Sequence, residues 1–145
     1  MTKLECFNYF GIVLRNIRWS WAGLNNTGHN RNDKGEGPLA ALTIWTDQTQ
    51  WNKEKRCSIW STYNANNKIW KDAKGNLERI EIIKFCINNL NNEFRPVFVS
   101  PRSPGVFDET RESDKYYIIQ ERDLWYKITN FDEETGECEA ESFIR

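Results

Sequence analysis

Histidine is nearly missing from this chain: His29 is the only one among 145 residues, and methionine is limited to one and proline to four. A single imidazole leaves no histidine pair for a metal and no recognisable Ser-His-Asp or Cys-His couple. Cys6, Cys57, Cys86 and Cys138 stand singly, without the paired spacing of a zinc or redox motif, and read as four reduced thiols. No metal and no cofactor is expected. Eighteen consecutive apolar residues occur nowhere, and residues 1–15 lack the basic and apolar regions of a leader, so no membrane association is expected and the compartment expected is the cytoplasm. Charge of one sign is not in excess either. With 20 Lys+Arg against 21 Asp+Glu there is no overall field for nucleic acid or anionic lipid, and such binding has to come from a local patch.

What the chain has in quantity is tryptophan. Trp19, Trp21, Trp45, Trp51, Trp60 and Trp70, six of the seven, fall within residues 19–70. Indoles bury large areas, stack on flat ligands and need a partner for the N–H, so such a concentration points to rings used at a surface. Local charge is also uneven: residues 15–35 carry Arg15, Arg18, His29, Arg31 and Lys34 against Asp33 alone, and residues 132–141 carry six acids and no base. A solvated face explains either cluster equally well.

The length suits one domain, residues 1–145, which buries roughly 70% of its unfolded surface. Phe7, Phe10 and Leu14 mark a short helix over residues 6–14, weakened by Gly11. Residues 17–24 alternate, with Ile17, Trp19 and Trp21 on one face, and predict a strand. Residues 25–38 are Asn- and Gly-rich and predict a loop. Residues 39–46 and 58–63 are β-like, completing with the first strand an antiparallel meander. Leu77, Ile80, Ile83, Ile87 and Leu90 repeat at helical period and predict the main amphipathic helix over residues 77–91, with Gly75-Asn76 as turn and N-cap. Residues 94–100 read as a strand with Pro96 at an edge, 101–115 as a loop, 116–120 as strand or helical turn, and 124–131 with 137–143 as a hairpin turning at Gly136. The expected fold class is α+β: a curved, mostly antiparallel sheet or PUA-like β-barrel with one main helix.

Trp19 and Trp21, two residues apart on a strand face, either line a slot for a planar ring or fill the core. Trp45 and Asp47 bring a ring and a carboxylate to a strand end, where Asp47 either accepts from an exocyclic amine or caps a turn. Glu78, Glu81 and Asp72 near the helix start suit the helix dipole and lack a nuclease's spacing. Arg79, Arg95 and Arg102 converge on a phosphate only if the fold gathers them.

Arg18-Trp19-Ser20-Trp21, Leu42-Thr43-Ile44-Trp45 with Asp47, Gly75-Asn76 with Arg79-Ile80-Glu81, and residues 131–137 together resemble a group of small bacterial proteins of uncertain role from genome-defence and mobile-element neighbourhoods. That resemblance implies a bacterial or phage context and no reaction. The order of elements is also similar to PUA-like modules, which read modified or flipped bases through aromatic cages. The function expected is a non-enzymatic nucleic-acid-binding module, for a modified or flipped base, with Trp19, Trp21, Trp45, Trp60 and Asp47 holding the base and Arg18, Arg31 and Lys34 touching phosphate. The alternatives are a protein-interaction or inhibitor module with exposed tryptophans as anchors, and a small enzyme on a nucleotide-like substrate with Asp47 or His29 as base.

Overall fold

The structure, a computed structural model, describes residues 1–25 and 38–145. His29, Arg31 and Lys34 lie outside the described residues, as does most of the expected Asn- and Gly-rich loop.

The chain opens with helix α1 (Lys3–Tyr9), earlier and shorter than expected. Thr2 and Glu5 form a reciprocal capping box that starts it, and Gly11, at φ +72°, stops it while the Ile12 N–H returns to the Phe7 carbonyl. The strand expected over residues 17–24 is also shorter, because only Ala22–Asn25 (β1) pairs. Asn16 accounts for the rest: its Oδ1 accepts the N–H groups of Arg18 and Trp19, its carbonyl accepts that of Ser20, and its own N–H reaches Ser20 Oγ. An asparagine that satisfies the backbone locally removes the need for a ladder. Trp19 and Trp21 therefore do not share a strand face.

Strands β2 (Leu39–Trp45), β3 (Thr49–Asn52), β4 (Cys57–Ser61), β5 (Glu93–Pro101), β6 (Ser113–Tyr117), β7 (Leu124–Phe131) and β8 (Cys138–Ile144) follow, with helix α2 (Lys74–Asn89) between β4 and β5. They form one mixed, unclosed sheet in the order β1-β2-β5-β7-β8-β4-β3, with β6 alongside β5. The architecture is α+β, and every pairing is antiparallel except β2 with β5. The expected meander is absent: β2 pairs with β1 and β5, while β4 pairs with β3 and β8. The burial of β2 explains this. Leu39 and Ala41 face one core with Phe7, Phe10, Ile12 and Val97, and Ala40, Leu42 and Ile44 face another with Ile83, Leu90, Phe94 and Phe98. A strand covered on both sides reads as a continuous apolar run and takes a central, parallel place.

Pro96 is likewise not at an edge. It lies between the residues of β5 that pair with β7 and those that pair with β6, so its missing N–H interrupts neither ladder. The C-terminal hairpin forms as expected, with Gly136 at φ +85° and Asp132 Oδ1 accepting the N–H of Glu134. Part of its acidic run is paired: Lys84 stands 3.7 Å from Glu133, and Lys55 reaches Glu141.

Helix α2 carries the largest departure from the periodic pattern. Ile80 and Ile83 are buried within it, and Leu90, its C-cap, is buried too, but Leu77 and Ile87 are 53% and 40% exposed. Its buried stripe is instead completed by Gly75, Asn76, Arg79 and Cys86. The first turns of that stripe are thus polar, and they face the site described next.

Candidate functional site

A pocket of about 360 Å³ opens where β2 and β5 end, on the α2 side of residues that precede β1. Thr43 and Trp45 of β2 and Val99 of β5 form one part of its wall. Trp21, just before β1, and Arg79 of α2 form another, and the segment after β4 brings Ile69 and Trp70. The β5–β6 connection contributes Phe107, Asp108, Glu109 and Arg111, and Lys3 of α1, Tyr116 of β6, Arg18, Gln48, Thr62 and Ala65 complete the lining.

Each wall is held by identifiable bonds. Asp47 is clasped by Arg111, whose Nη1 is 2.9 Å from Oδ2, and it also accepts the Gly105 N–H at 3.0 Å. The Arg111 guanidinium lies 4.1 Å from the Trp45 ring centroid and 4.4 Å from that of Phe107, and it donates to the Val106 carbonyl. One charged pair therefore pins the β5–β6 connection to the end of β2. Burial raises the Asp47 carboxyl, but hydrogen bonds from Arg111 and Gly105 outweigh it and hold the group below its ordinary value of 3.8. Asp47 is thus a poor proton acceptor and is already occupied as a hydrogen-bond acceptor. Because its folded-state value is depressed, its contribution to stability is complete above 3.8 and is lost as pH falls through the lower, folded value. Acid titration followed by tryptophan fluorescence should show the Trp45 environment unchanged from neutrality down to about pH 4, with an Asp47→Asn variant losing the transition below it.

Around Arg79 the sequence is tightly constrained. A Cβ at Gly75 would stand 2.5 Å from the Trp19 carbonyl oxygen and from the Trp21 indole, so only glycine lets Trp21 lie against the start of α2. The N-cap of α2 is Ala73 rather than Asn76. Asn76, fully buried, donates to the carbonyls of Lys71 and Thr135, both at 2.8 Å, and its Oδ1 accepts from Arg79 Nη2 at 2.9 Å. A Cβ on Gly136 would come within 2.4 Å of that amide, so the hairpin turn and the helix start are fitted to each other through it. Arg79 is 5% exposed, with its guanidinium carbon 5.0 Å from the Trp21 ring centroid and 5.3 Å from that of Trp70. Desolvation lowers it from 12.5 to about 10, leaving it charged at neutral pH.

The structure brings Trp21, Trp45 and Arg18 of the sequence-derived set to this pocket. Trp60 is not on its wall: it is 0% exposed, edge-on to Phe94, with its indole N–H given to Gln48. Trp19 is half-buried and meets Gly75 through its backbone. Arg95 and Arg102 do not converge with Arg79, since they pair with Asp123 and Glu112. Phe107 and Arg111 come from the stretch expected to be a loop, Arg79 from the expected polar side of the helix, Tyr116 from the stretch expected as strand or helical turn, and Trp70 from between the expected strand and helix. The apolar period of α2 carries no signal for Arg79, because its burial appears only in the folded helix.

Among the described residues no group of three or more His, Cys, Asp or Glu can hold a metal ion, and no helix is long and apolar enough to cross a membrane. All four cysteines are free and buried, and desolvation pushes the Cys86 and Cys138 thiols up to about 12. No protein family, curated protein or solved structure matches this chain.

Proposed function

We propose that the protein is a nucleic-acid-binding module that takes one unstacked or modified base into the pocket, in the manner of PUA-like base readers though on an unclosed sheet. The observation that carries this reading is the gathering of Trp21, Trp45, Trp70, Phe107 and Tyr116 on one concave surface with Arg18 and Lys3. Flat side chains compensate an unstacked base, and cationic ones at the rim engage the backbone. Asp47 supports the site by fixing Arg111, and the rings rather than that carboxylate contact the base.

The test is the affinity of a labelled single-stranded oligonucleotide at low salt. Trp21→Ala and Trp45→Ala are each expected to weaken binding by about 1–3 kcal/mol while circular dichroism shows a folded protein. Absence of oligonucleotide binding by the wild-type protein at low salt overturns the reading. A protein-interaction module is then the second choice, favoured by Trp51, 62% exposed on β3, and Ile144, 53% exposed, which border a separate groove with Phe98 and Tyr117.

A further inference from the structure

Among the described residues four guanidinium groups lie over tryptophan rings, and three of them have a carboxylate: Arg95 with Asp123, Arg111 with Asp47, and Arg145 with Glu93. Arg79 is the fourth, and no described carboxylate lies within ion-pair distance of it. Glu78, its neighbour on α2, acts on Lys3 instead. Of the five N–H donors a guanidinium carries, Arg79 commits one to Asn76, and its Nε is buried with no acceptor. Removing a charge from water without a counter-charge costs several kcal/mol. Among the described residues this fold meets that cost for the other three arginines, Arg111 of the same pocket included, and not for Arg79.

We propose that the inner end of the pocket is an anion receptor, in which Arg79 takes the terminal phosphate of a nucleotide whose base lies against the tryptophans. The base rests on the reading above; the anion rests on Arg79 alone. A neutral acceptor such as a base edge would satisfy the N–H groups and leave the charge uncompensated, whereas a phosphate oxygen pair does both. Asn76 holds the guanidinium from behind, and the indoles of Trp21 and Trp70 flank it, so the fork is oriented before a ligand arrives. The phosphate is terminal because Arg79 is almost entirely buried, and the exposed Asp108 and Glu109 of the same lining repel a second phosphate in the pocket. Both a free mononucleotide and a phosphorylated strand end present this chemistry.

Calorimetric titration of the wild-type protein with each of the four nucleosides and the matching 5′- and 3′-monophosphates tests the idea, with 5′-phosphorylated and 5′-hydroxyl oligonucleotides as further arms. At least one monophosphate is expected to bind at least about tenfold tighter than its nucleoside, a difference of about 1.4 kcal/mol. Arg79→Gln is expected to abolish that difference, and Arg79→Lys to retain part of it. Should Arg79→Gln fail to fold, the wild-type nucleoside and monophosphate pair decides. A phosphorylated oligonucleotide matching the mononucleotide identifies a strand end, and a mononucleotide binding alone identifies a free nucleotide. Equal affinity for nucleoside and monophosphate overturns the anion receptor and leaves the base-binding reading standing. Inorganic phosphate binding as tightly as any nucleotide, with loss in Arg79→Gln, supports the receptor and overturns base binding. No binding by any of these probes overturns both.

Discussion

Trp60→Ala should lower the unfolding free energy by about 3–5 kcal/mol, read as a fall in denaturant midpoint at an unchanged slope. Trp60 has no exposed surface; it packs edge-on to Phe94 at 5.9 Å between ring centroids, and Phe94 in turn stacks on Tyr126. Truncation removes the largest side chain of this core, leaves a cavity among β4, β5 and β7, and strips Gln48 of the indole N–H it accepts. Gln48 also lines the pocket, so some loss of ligand affinity would follow, but in proportion to unfolding and not as a lost stack. A midpoint within experimental error of wild type would contradict the placement of Trp60 in the core and return it to the ligand-contacting set.

The second large effect contrasts two isoleucines of one helix. Ile83→Ala should cost about 2–5 kcal/mol, since Ile83 is fully buried against β1, β2 and β5 in the core that holds Ala22, Leu42 and Phe98. Ile87→Ala should cost less than about 1 kcal/mol, because the side chain is 40% exposed and alanine is the better helix former. The period of the sequence alone predicts equal and large costs at both sites. Equal costs in denaturant titrations would therefore mean that α2 is rotated about its axis relative to this structure, with Arg79 turned out of the pocket.

The offset between the apolar period of α2 and the face it buries also explains which parts of the site were legible. The apolar residues of α2 predict a stripe through Leu77 and Ile87, yet the helix buries Asn76 and Arg79 in its first turns. Burying them becomes favourable only with the Thr135 carbonyl, from a turn some sixty residues away in sequence, and with the rings of Trp21 and Trp70. Local pattern rules fail most readily at functional positions, where a polar group is placed in a core-facing position for its chemistry. The hairpin of β7 and β8 was legible for the opposite reason. Its strands are adjacent in sequence, its turn holds Asp132 and Gly136, and its register follows from contacts within about twenty residues.

By itself the sequence determined the α+β class, the existence of α2, the run of β2, the C-terminal hairpin and the presence of Trp21, Trp45 and Arg18 as candidates for a ligand. These depend on side-chain period and turn chemistry, which act over a few residues. Tertiary structure alone decided that β2 lies parallel to β5 instead of in a meander, that Trp60 belongs to the core while Trp70 lines the pocket, and that Arg111 finds Asp47 while Arg79 finds no carboxylate among the described residues. The physical reason is that strand order and ion pairing are settled by burial and charge compensation summed over segments far apart in the chain, and no local period encodes either.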